Sequence, residues 1–300
     1  NRKDTMPELV LSQEMSAGPA RLRVDVRGGP ARDSIVDDMD FLNYRLAAVT
    51  MEDAVTLAQP DVIWDVEADT DIGYDGHAMT LSGEWSAGAI QKVLVTMLAL
   101  RMEAKGYHPS HSSAVRYQDK SILFLGGESN HGKSMGQIEA CRRGGLLIST
   151  ETTVIDEDIK AVMGSKSVFL REKRAKGTER ADKAAPTQGV SKFWGDMPTW
   201  EEYPDISKID VVVLPAIDGN FDPSTKKLGD FEAQFQALHS LQNYFLTNEL
   251  LAPGFPMPLT DTEALRKARA EFCLKFGDRP FYFVRAATPQ VLMDEVDKVL

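Results

Sequence analysis

Apolar residues recur along the chain with two different periods. Residues 89–106 carry apolar side chains at helical spacing, with Lys105 and Gly106 as a stop signal. Residues 21–28 instead alternate apolar and polar side chains, as a half-buried strand does. Residues 122–125 and 208–218 are nearly continuous apolar runs, which are typical of strands covered on both faces of a parallel sheet. Together these patterns predict an α/β protein.

The patterns also predict two domains. Residues 1–88 hold short alternating runs and turn signals, notably at 62–76, so we expect a β-rich N-terminal part, with one or two short helices within 37–54. Residues 89–300 are expected to form a larger α/β domain that ends in three helices. The second of these is predicted to start with a capping box of Thr260 and Glu263, and the third with Thr288 as its cap and Pro289 in its first turn.

Residues 165–207 interrupt the second domain with a segment of different composition. Its first part, 165–192, is rich in Lys and Arg and poor in apolar residues, which predicts a long basic excursion. Such a segment beside a phosphate site can close over a nucleotide or grip an anionic substrate. A solvated surface loop is the alternative explanation.

Composition limits the partners that we expect. Hydrophobic residues make up 43% and charged residues 26% of the chain, as in ordinary globular proteins. A net charge of -11 and a pI near 5.0 argue against a nucleic-acid or anionic-membrane partner. Two cysteines, Cys141 and Cys273, are too few for a disulfide framework and are predicted to be buried. With no apolar run of membrane length, the sequence predicts a cytoplasmic protein.

Residues 125–137, LGGESNHGKSMGQ, carry the strongest chemical signal. They satisfy the phosphate-loop pattern of Gly, four residues and Gly-Lys-Ser, between an apolar strand and a helix-forming segment. In such a loop Lys133 reaches the β and γ phosphates, and the Ser134 hydroxyl binds Mg²⁺. A glycine turn with an exposed lysine is the alternative. The predicted nucleotide-binding residues are Gly127, Glu128, Ser129, Asn130, His131, Gly132, Lys133, Ser134 and Met135.

The order of elements around this loop resembles one family. An apolar helix, a strand opening with HSSAV (111–115), the strand into the loop, its helix, and RRGGLLIST (142–150) are similar to the catalytic domain of the HPr kinase/phosphorylase family. That family belongs to the phosphoenolpyruvate carboxykinase superfamily, and the resemblance is clearest over residues 89–155. It implies a P-loop-containing mixed sheet flanked by helices. It also implies transfer of the γ-phosphate of ATP, with Mg²⁺, to a hydroxyl of a protein, peptide or small molecule.

The resemblance also implies roles for three further residues. Relatives carry an Asp-Asp pair where this chain has STETT (149–153), so Glu151 is the one carboxylate there, expected in catalysis and, with Ser134, in binding metal. His111 matches the family's histidine and is expected near the γ-phosphate or the acceptor. Asp218 ends an apolar strand, where α/β sheets bind ligands. The alternatives are an exposed strand-end glutamate, a structural histidine and a turn-forming aspartate.

Departures from the family pattern keep a second function open. The missing acidic residue, and Glu128, Asn130 and His131 in a loop that relatives fill with small residues, favour a nucleotide-binding regulatory protein of the same fold that has lost phosphotransfer. Relatives often assemble into rings, so the resemblance also leaves a homo-oligomer open.

Overall fold

The N-terminal strands form a six-stranded sheet. The computed structural model describes residues 7–37, 39–55, 58–126, 131–167, 200–217, 222–245 and 250–300. The strands follow the spatial order β3-β1-β2-β4-β6-β5. Their bounds are β1 (Leu9–Ala17), β2 (Ala20–Arg27), β3 (Val49–Asp53), β4 (Val62–Asp65), β5 (Asp71–Tyr74) and β6 (Met79–Ser82). The predicted strands within 21–28 and 62–76 are confirmed.

Within residues 37–54 one of the one or two predicted short helices is confirmed, and a strand that was not predicted follows it. The helix is α1 (Met39–Arg45), and the strand is β3. β3 pairs antiparallel with β1, whose partner on its other side is β2. Because the pairing of β3 with β1 joins residues far apart in sequence, local pattern alone did not predict it.

The predicted helix over 89–106 is confirmed as α2 (Ala87–Glu103), with the Ser86 hydroxyl accepting from the N–H of Ala89. Its apolar residues belong to the same buried core as the N-terminal sheet, and examples are Val93, Leu94 and Leu98. The boundary at residue 88 therefore lies within one hydrophobic core. The division into 1–88 and 89–300 stays a prediction.

A second, larger sheet contains both parallel and antiparallel pairs. Its order is β12-β11-β10-β7-β8-β13-β17-β14, and β9 also pairs with β7. β8, β13 and β17 run parallel, as the apolar run over 208–218 predicted. The bounds are β7 (Tyr107–Tyr117), β8 (Lys120–Leu125), β9 (Leu146–Ser149), β10 (Thr152–Asp156), β11 (Lys160–Gly164), β12 (Ser207–Lys208), β13 (Val211–Ile217), β14 (Ser224–Lys227) and β17 (Phe281–Ala286); β15 (Leu250–Ala252) and β16 (Phe255–Pro256) form a separate pair.

Four further helices cover the two faces of this sheet: α3 (Lys133–Arg142), α4 (Asp230–Phe245), α5 (Glu263–Gly277) and α6 (Pro289–Asp297). α3 and α6 share one core with the sheet, whereas α4 and α5 share another on the opposite face. The predicted mixed α/β fold class is confirmed at this level. Thr288 caps α6 as predicted. The predicted cap of α5 is wrong, because Thr262 rather than Thr260 accepts the first-turn N–H of Leu265.

A buried ion pair joins α2 to α5. Arg269 is 1% exposed and donates to Glu103 Oε1 at 2.8 Å and to Asp261 Oδ2 at 2.9 Å. Burial alone would raise the pKa of Glu103, but the hydrogen bond and charge of Arg269 hold it below its ordinary value. The charged pair therefore persists in the interior, where loss of Arg269 removes the guanidinium partner of both Glu103 and Asp261.

Both cysteines are buried and free, as predicted. Burial raises the pKa of Cys273 to about 12 and also raises that of Cys141, so both thiols are protonated at neutral pH. Among the described helices, none has the length and apolar character needed to cross a bilayer. Residues 168–199 of the predicted basic excursion lie outside the described part.

Candidate active site

The glycine-rich segment joins the end of β8 to the start of α3. Gly132, just before the helix, has a left-handed backbone with φ of 108°. A Cβ added there would lie 2.8 Å from the side chain of Ile217 at the end of β13. Glycine is therefore required both for conformation and for space. Four predicted nucleotide-binding residues lie outside the described residues: Gly127, Glu128, Ser129 and Asn130.

The N-terminus of α3 begins without a capping side chain in the described part of the chain. The first N–H groups of a helix have no intrahelical acceptor, and they form the positive end of its dipole. The carbonyl of exposed His131 accepts from the N–H of Ile217 at 3.3 Å, which ties the end of the loop to β13. The uncapped helix start therefore lies at the carboxyl edge of the parallel strands, where an anion is favoured.

The three first residues of α3 are placed differently. Lys133 is buried, Ser134 is half-buried, and the side chain of Met135 packs against the core shared by α3 and α6. Ser134 and Met135 are thus equally half-buried, and the Met135 side chain is partly engaged in core packing.

Lys133 is 6% exposed, which excludes the alternative of an exposed lysine on a glycine turn. A Cβ added at Gly126 would lie 3.9 Å from Lys133 Nζ, so the side chain folds back toward the end of β8. Burial lowers the pKa of this amine from 10.5 to about 8, and the nearby charge of Glu151 opposes part of that change. The chain thus holds a partly desolvated cation at the start of α3.

Glu151 and His111 form a close pair on the same edge, which is an ion pair when His111 is protonated. The distance from His111 Nε2 to Glu151 Oε1 is 3.2 Å, with His111 2% and Glu151 12% exposed at their side chains. Burial alone would raise the pKa of Glu151, but the hydrogen bond and charge of His111 lower it. The charges of Lys133 and Arg45 lower it further, so the carboxylate is ionised at neutral pH. The alternative of an exposed strand-end glutamate is excluded.

The register of β7 explains why this pair forms. β7 starts at Tyr107, four residues earlier than the predicted strand, so His111 lies inside the strand rather than at its start. His111 is opposite Thr152 of β10, and the next residue, Ser112, is opposite Leu125 at the end of β8. These two pairings bring the histidine to both Glu151 and the loop.

A bend between β9 and β10 carries Glu151. The Ser165 hydroxyl accepts from the N–H groups of Glu151 and Thr152 at 3.0 and 2.9 Å. The N–H of Thr150 donates to the Ser165 carbonyl at 2.9 Å, and the N–H of Ser112 donates to the Glu151 carbonyl at 3.1 Å. These hydrogen bonds fix the backbone of the bend and with it the position of the Glu151 carboxylate.

Buried hydroxyls reinforce this arrangement, and the sequence analysis missed them. Ser112 Oγ donates to Thr153 Oγ1 at 2.9 Å, and Thr153 Oγ1 also lies 2.5 Å from Ser149 Oγ. Ser113 Oγ donates to the Lys133 carbonyl at 3.1 Å, which joins β7 to the start of α3. The signal that could have revealed them is the run of Ser and Thr inside two apolar strands, HSSAV and STETT.

The N-terminal part also reaches the site, through Arg45 at the end of α1. Its carbonyl accepts from Thr152 Oγ1 at 2.6 Å, and its charge lowers the pKa of Glu151. No local sequence pattern marked Arg45, because its role depends on how α1 packs against β10.

Two predicted features remain outside this geometry. Asp218 follows the end of β13 directly but lies outside the described residues. Among the described residues, no group of three or more His, Cys, Asp or Glu side chains forms a metal cluster. The chain's own candidate ligands for a hard cation at this edge are the hydroxyl of Ser134 and the carboxylate of Glu151.

No protein-family model matches the chain, and no curated protein matches it either.

Proposed function

We propose that the chain is an ATP- and Mg²⁺-dependent phosphotransferase with an HPr-kinase-like core, acting on a hydroxyl acceptor. One observation carries the proposal. Lys133 is buried at an uncapped helix start after a glycine loop, and its charge is coupled to the Glu151–His111 ion pair on the same sheet edge. Catalytic sites are where burial and charge partners combine to shift pKa values in this way.

Binding follows from the charge at this edge. A buried ammonium costs free energy unless an anion compensates it. The triphosphate of ATP would supply that anion, and the N–H groups at the start of α3 would bind its oxygens. His131 and Gly132 would contribute backbone groups to the same cradle. The lowered pKa of Lys133 therefore refers to the protein without bound ATP.

Transfer requires a positioned acceptor and a place for one proton. The acceptor oxygen attacks the γ-phosphorus, the bond from that phosphorus to the β–γ bridging oxygen breaks, and ADP leaves with the electron pair. Glu151 takes the proton of the acceptor hydroxyl, and His111 orients the Glu151 carboxylate. A carboxylate that is ionised at neutral pH suits this role, since in-line transfer depends more on positioning and charge neutralisation than on a strong base.

The residues present fit Mg²⁺ in its usual role beside a nucleotide. Mg²⁺ takes one or two protein ligands together with phosphate oxygens and water, so Ser134 and Glu151 suffice without a dedicated acidic cluster. The ion would neutralise charge on the β and γ phosphates. If Glu151 serves mainly as its ligand, Asp218 at the end of β13 is the second candidate for the acceptor proton.

A second function is favoured by one observation. Glu151 stands alone where related kinases carry two acids, and its carboxylate is already paired with His111. A nucleotide-binding regulatory protein, which responds to ATP without transferring phosphate, needs no second acid. The two functions share Lys133 and differ in whether Glu151 is needed for turnover.

The test measures ADP release and transfer of ³²P from labelled ATP in wild type and Glu151→Gln. We expect the substitution to abolish turnover, because it removes the base. ATP affinity should change by only a few fold, because glutamine keeps a side-chain oxygen for Mg²⁺ and Lys133 still binds the phosphates. Glu271→Gln is the matched control, since Glu271 is exposed on α5, far along the chain from the site. Equal turnover in wild type and Glu151→Gln would contradict the catalytic role. ATP binding without turnover in wild type would favour the regulatory protein.

A further inference from the structure

One strand edge near the site has no partner strand among the described residues. β12 covers only Lys160 and Ala161 of β11. Beyond them Met163 and Gly164 pair with β10 on one side, and Val162 lies at an irregularity of that pairing. No described strand pairs with the other side of these residues. An open edge presents unpaired N–H and C=O groups, which bind an added extended strand.

A cavity of about 530 Å³ adjoins this edge. We call it the edge cavity: it lies between residues 162–167 and residues 202–206, with Ile148 in its wall. Its volume is within the range of ligand-binding clefts. The walls include apolar Pro204 and Ile206, and Ile206 is 62% exposed even though it is a large apolar residue. The cavity thus combines open backbone with apolar surface, as grooves for extended peptides do.

The charges in the edge cavity favour a basic ligand. Lys166 is engaged, because its Nζ donates to the Ile148 carbonyl at 2.8 Å and lies 3.4 Å from Glu202 Oε2. Asp205 lies in the same wall, and within the described residues no cation is within ion-pair distance of it. The chain as a whole carries a net charge of -11. A positively charged side chain at Asp205 would complete the pairing.

The open edge leads to the bend that carries Glu151. Ser165 directly follows Gly164, and its hydroxyl holds the N–H groups of Glu151 and Thr152. A Cβ at Gly164 would overlap Ser149 Cβ, so β11 runs in close contact with the end of β9. A peptide bound along β11 in an extended conformation therefore ends beside the bend that carries Glu151.

We infer that the edge cavity docks an extended basic peptide, which adds as a strand to the open edge of β11, and that this peptide carries the acceptor hydroxyl. The docking claim stands on the edge and the charges. The acceptor claim rests on the proposed function.

The test uses an array of nonapeptides with a central serine and alternating arginine, a matched array with glutamate in place of arginine, and purified protein without nucleotide. We expect wild type to bind members of the arginine array only, and N-methylation of alternate backbone nitrogens to abolish that binding. Asp205→Arg should weaken it by about tenfold or more, as loss and reversal of one charge contact would. Ile206→Ser should weaken it through lost apolar contact.

Two matched variants control for general surface effects. Asp278→Arg adds the same charge, and Leu259→Ser removes an apolar side chain of comparable size that is 71% exposed, both outside the edge cavity. Both should bind peptides as wild type does. Equal binding by wild type and Asp205→Arg, or full tolerance of N-methylation, would overturn the docking claim.

The acceptor claim is then tested on the bound peptides with labelled ATP and Mg²⁺. Label on the central serine, and none on the serine-to-alanine peptide, supports it. If ATP binds and a small hydroxyl compound is labelled while docked peptides are not, the acceptor claim is wrong and the proposed function stands. If ATP does not bind at all, the proposed function and the acceptor claim both fail, and docking is decided by the peptide binding alone.

Discussion

Replacing Lys133 with methionine should stabilise the protein in the absence of ligand. Burial lowers the pKa of Lys133 from 10.5 to about 8, so the folded state disfavours the protonated amine. One pKa unit corresponds to about 1.4 kcal/mol, so protonated Lys133 lowers the free energy of unfolding at pH 7 by up to about 3 kcal/mol. Methionine has similar length and no charge, and the variant should regain that amount. A site that gives up stability for binding behaves in this way.

The same pKa sets the pH window of the effect. Between pH 8 and 10.5 the unfolded chain binds the lysine proton and the folded chain does not, so the wild-type free energy of unfolding rises with pH. The advantage of Lys133→Met should therefore be fully present below pH 8, shrink above it and vanish near pH 10.5.

Urea unfolding at several pH values between 7 and 10.5 measures this difference. Lys267→Met is the control, because Lys267 is 79% exposed and its substitution should change stability by less than about 1 kcal/mol at any of these pH values. A Lys133→Met variant that is less stable than wild type at pH 7, or a difference that does not change with pH, would refute the argument.

Two further substitutions test the packing around the site. Gly136→Ala should lower the free energy of unfolding by about 1–3 kcal/mol, because an added Cβ would lie 2.9 Å from the buried side chain of Leu292. Gly88→Ala is the control and should not lower the free energy of unfolding, because no atom lies within 4 Å of a Cβ added there. A neutral Gly136→Ala would mean that α3 can move away from α6. Arg269→Met should cost about 3–5 kcal/mol in urea unfolding at pH 7, because it leaves the carboxylate of Glu103 buried and unpaired. A smaller loss in Glu103→Gln/Arg269→Met than in the single variant would identify the unpaired charge as the cause.

The parts of the fold with strong local signals were predictable. Helical spacing in α2, the apolar run of β13 and the Thr288–Pro289 start of α6 depend on residues close in sequence, and the structure has all three. β7 and β8 were predictable for the same reason. Gln118 and Asp119 form the tight turn between these two strands, with φ of 48° and 58°.

The parts that depend on long-range pairing were not predictable. The sequence pattern does not predict β3, because its strand character comes from its partner β1. The start of α5 was placed at Thr260, because a Thr-x-x-Glu pattern is satisfied there although the chain enters the helix at Thr262.

The candidate site shows the same division. Lys133 could be assigned from a local motif in its strand–loop–helix context. The ion pair of Glu151 with His111 required the register between β7 and β10, and the contribution of Arg45 required the packing of α1 against β10. Neither contact can be recognised in a short stretch of the sequence, because each joins segments that are tens of residues apart.

The most direct test of the central claim is calorimetric titration of ATP and Mg²⁺ into wild type, Lys133→Met and Lys267→Met at pH 8, in two buffers of different ionisation enthalpy. With a pKa of about 8, Lys133 is half protonated before binding and becomes fully protonated beside the phosphates, so wild type and Lys267→Met should take up about half a proton. Lys133→Met should bind ATP far more weakly and should not take up this half proton. Equal affinity and equal proton uptake in all three proteins would contradict the phosphate-binding role of Lys133, and with it the proposed function.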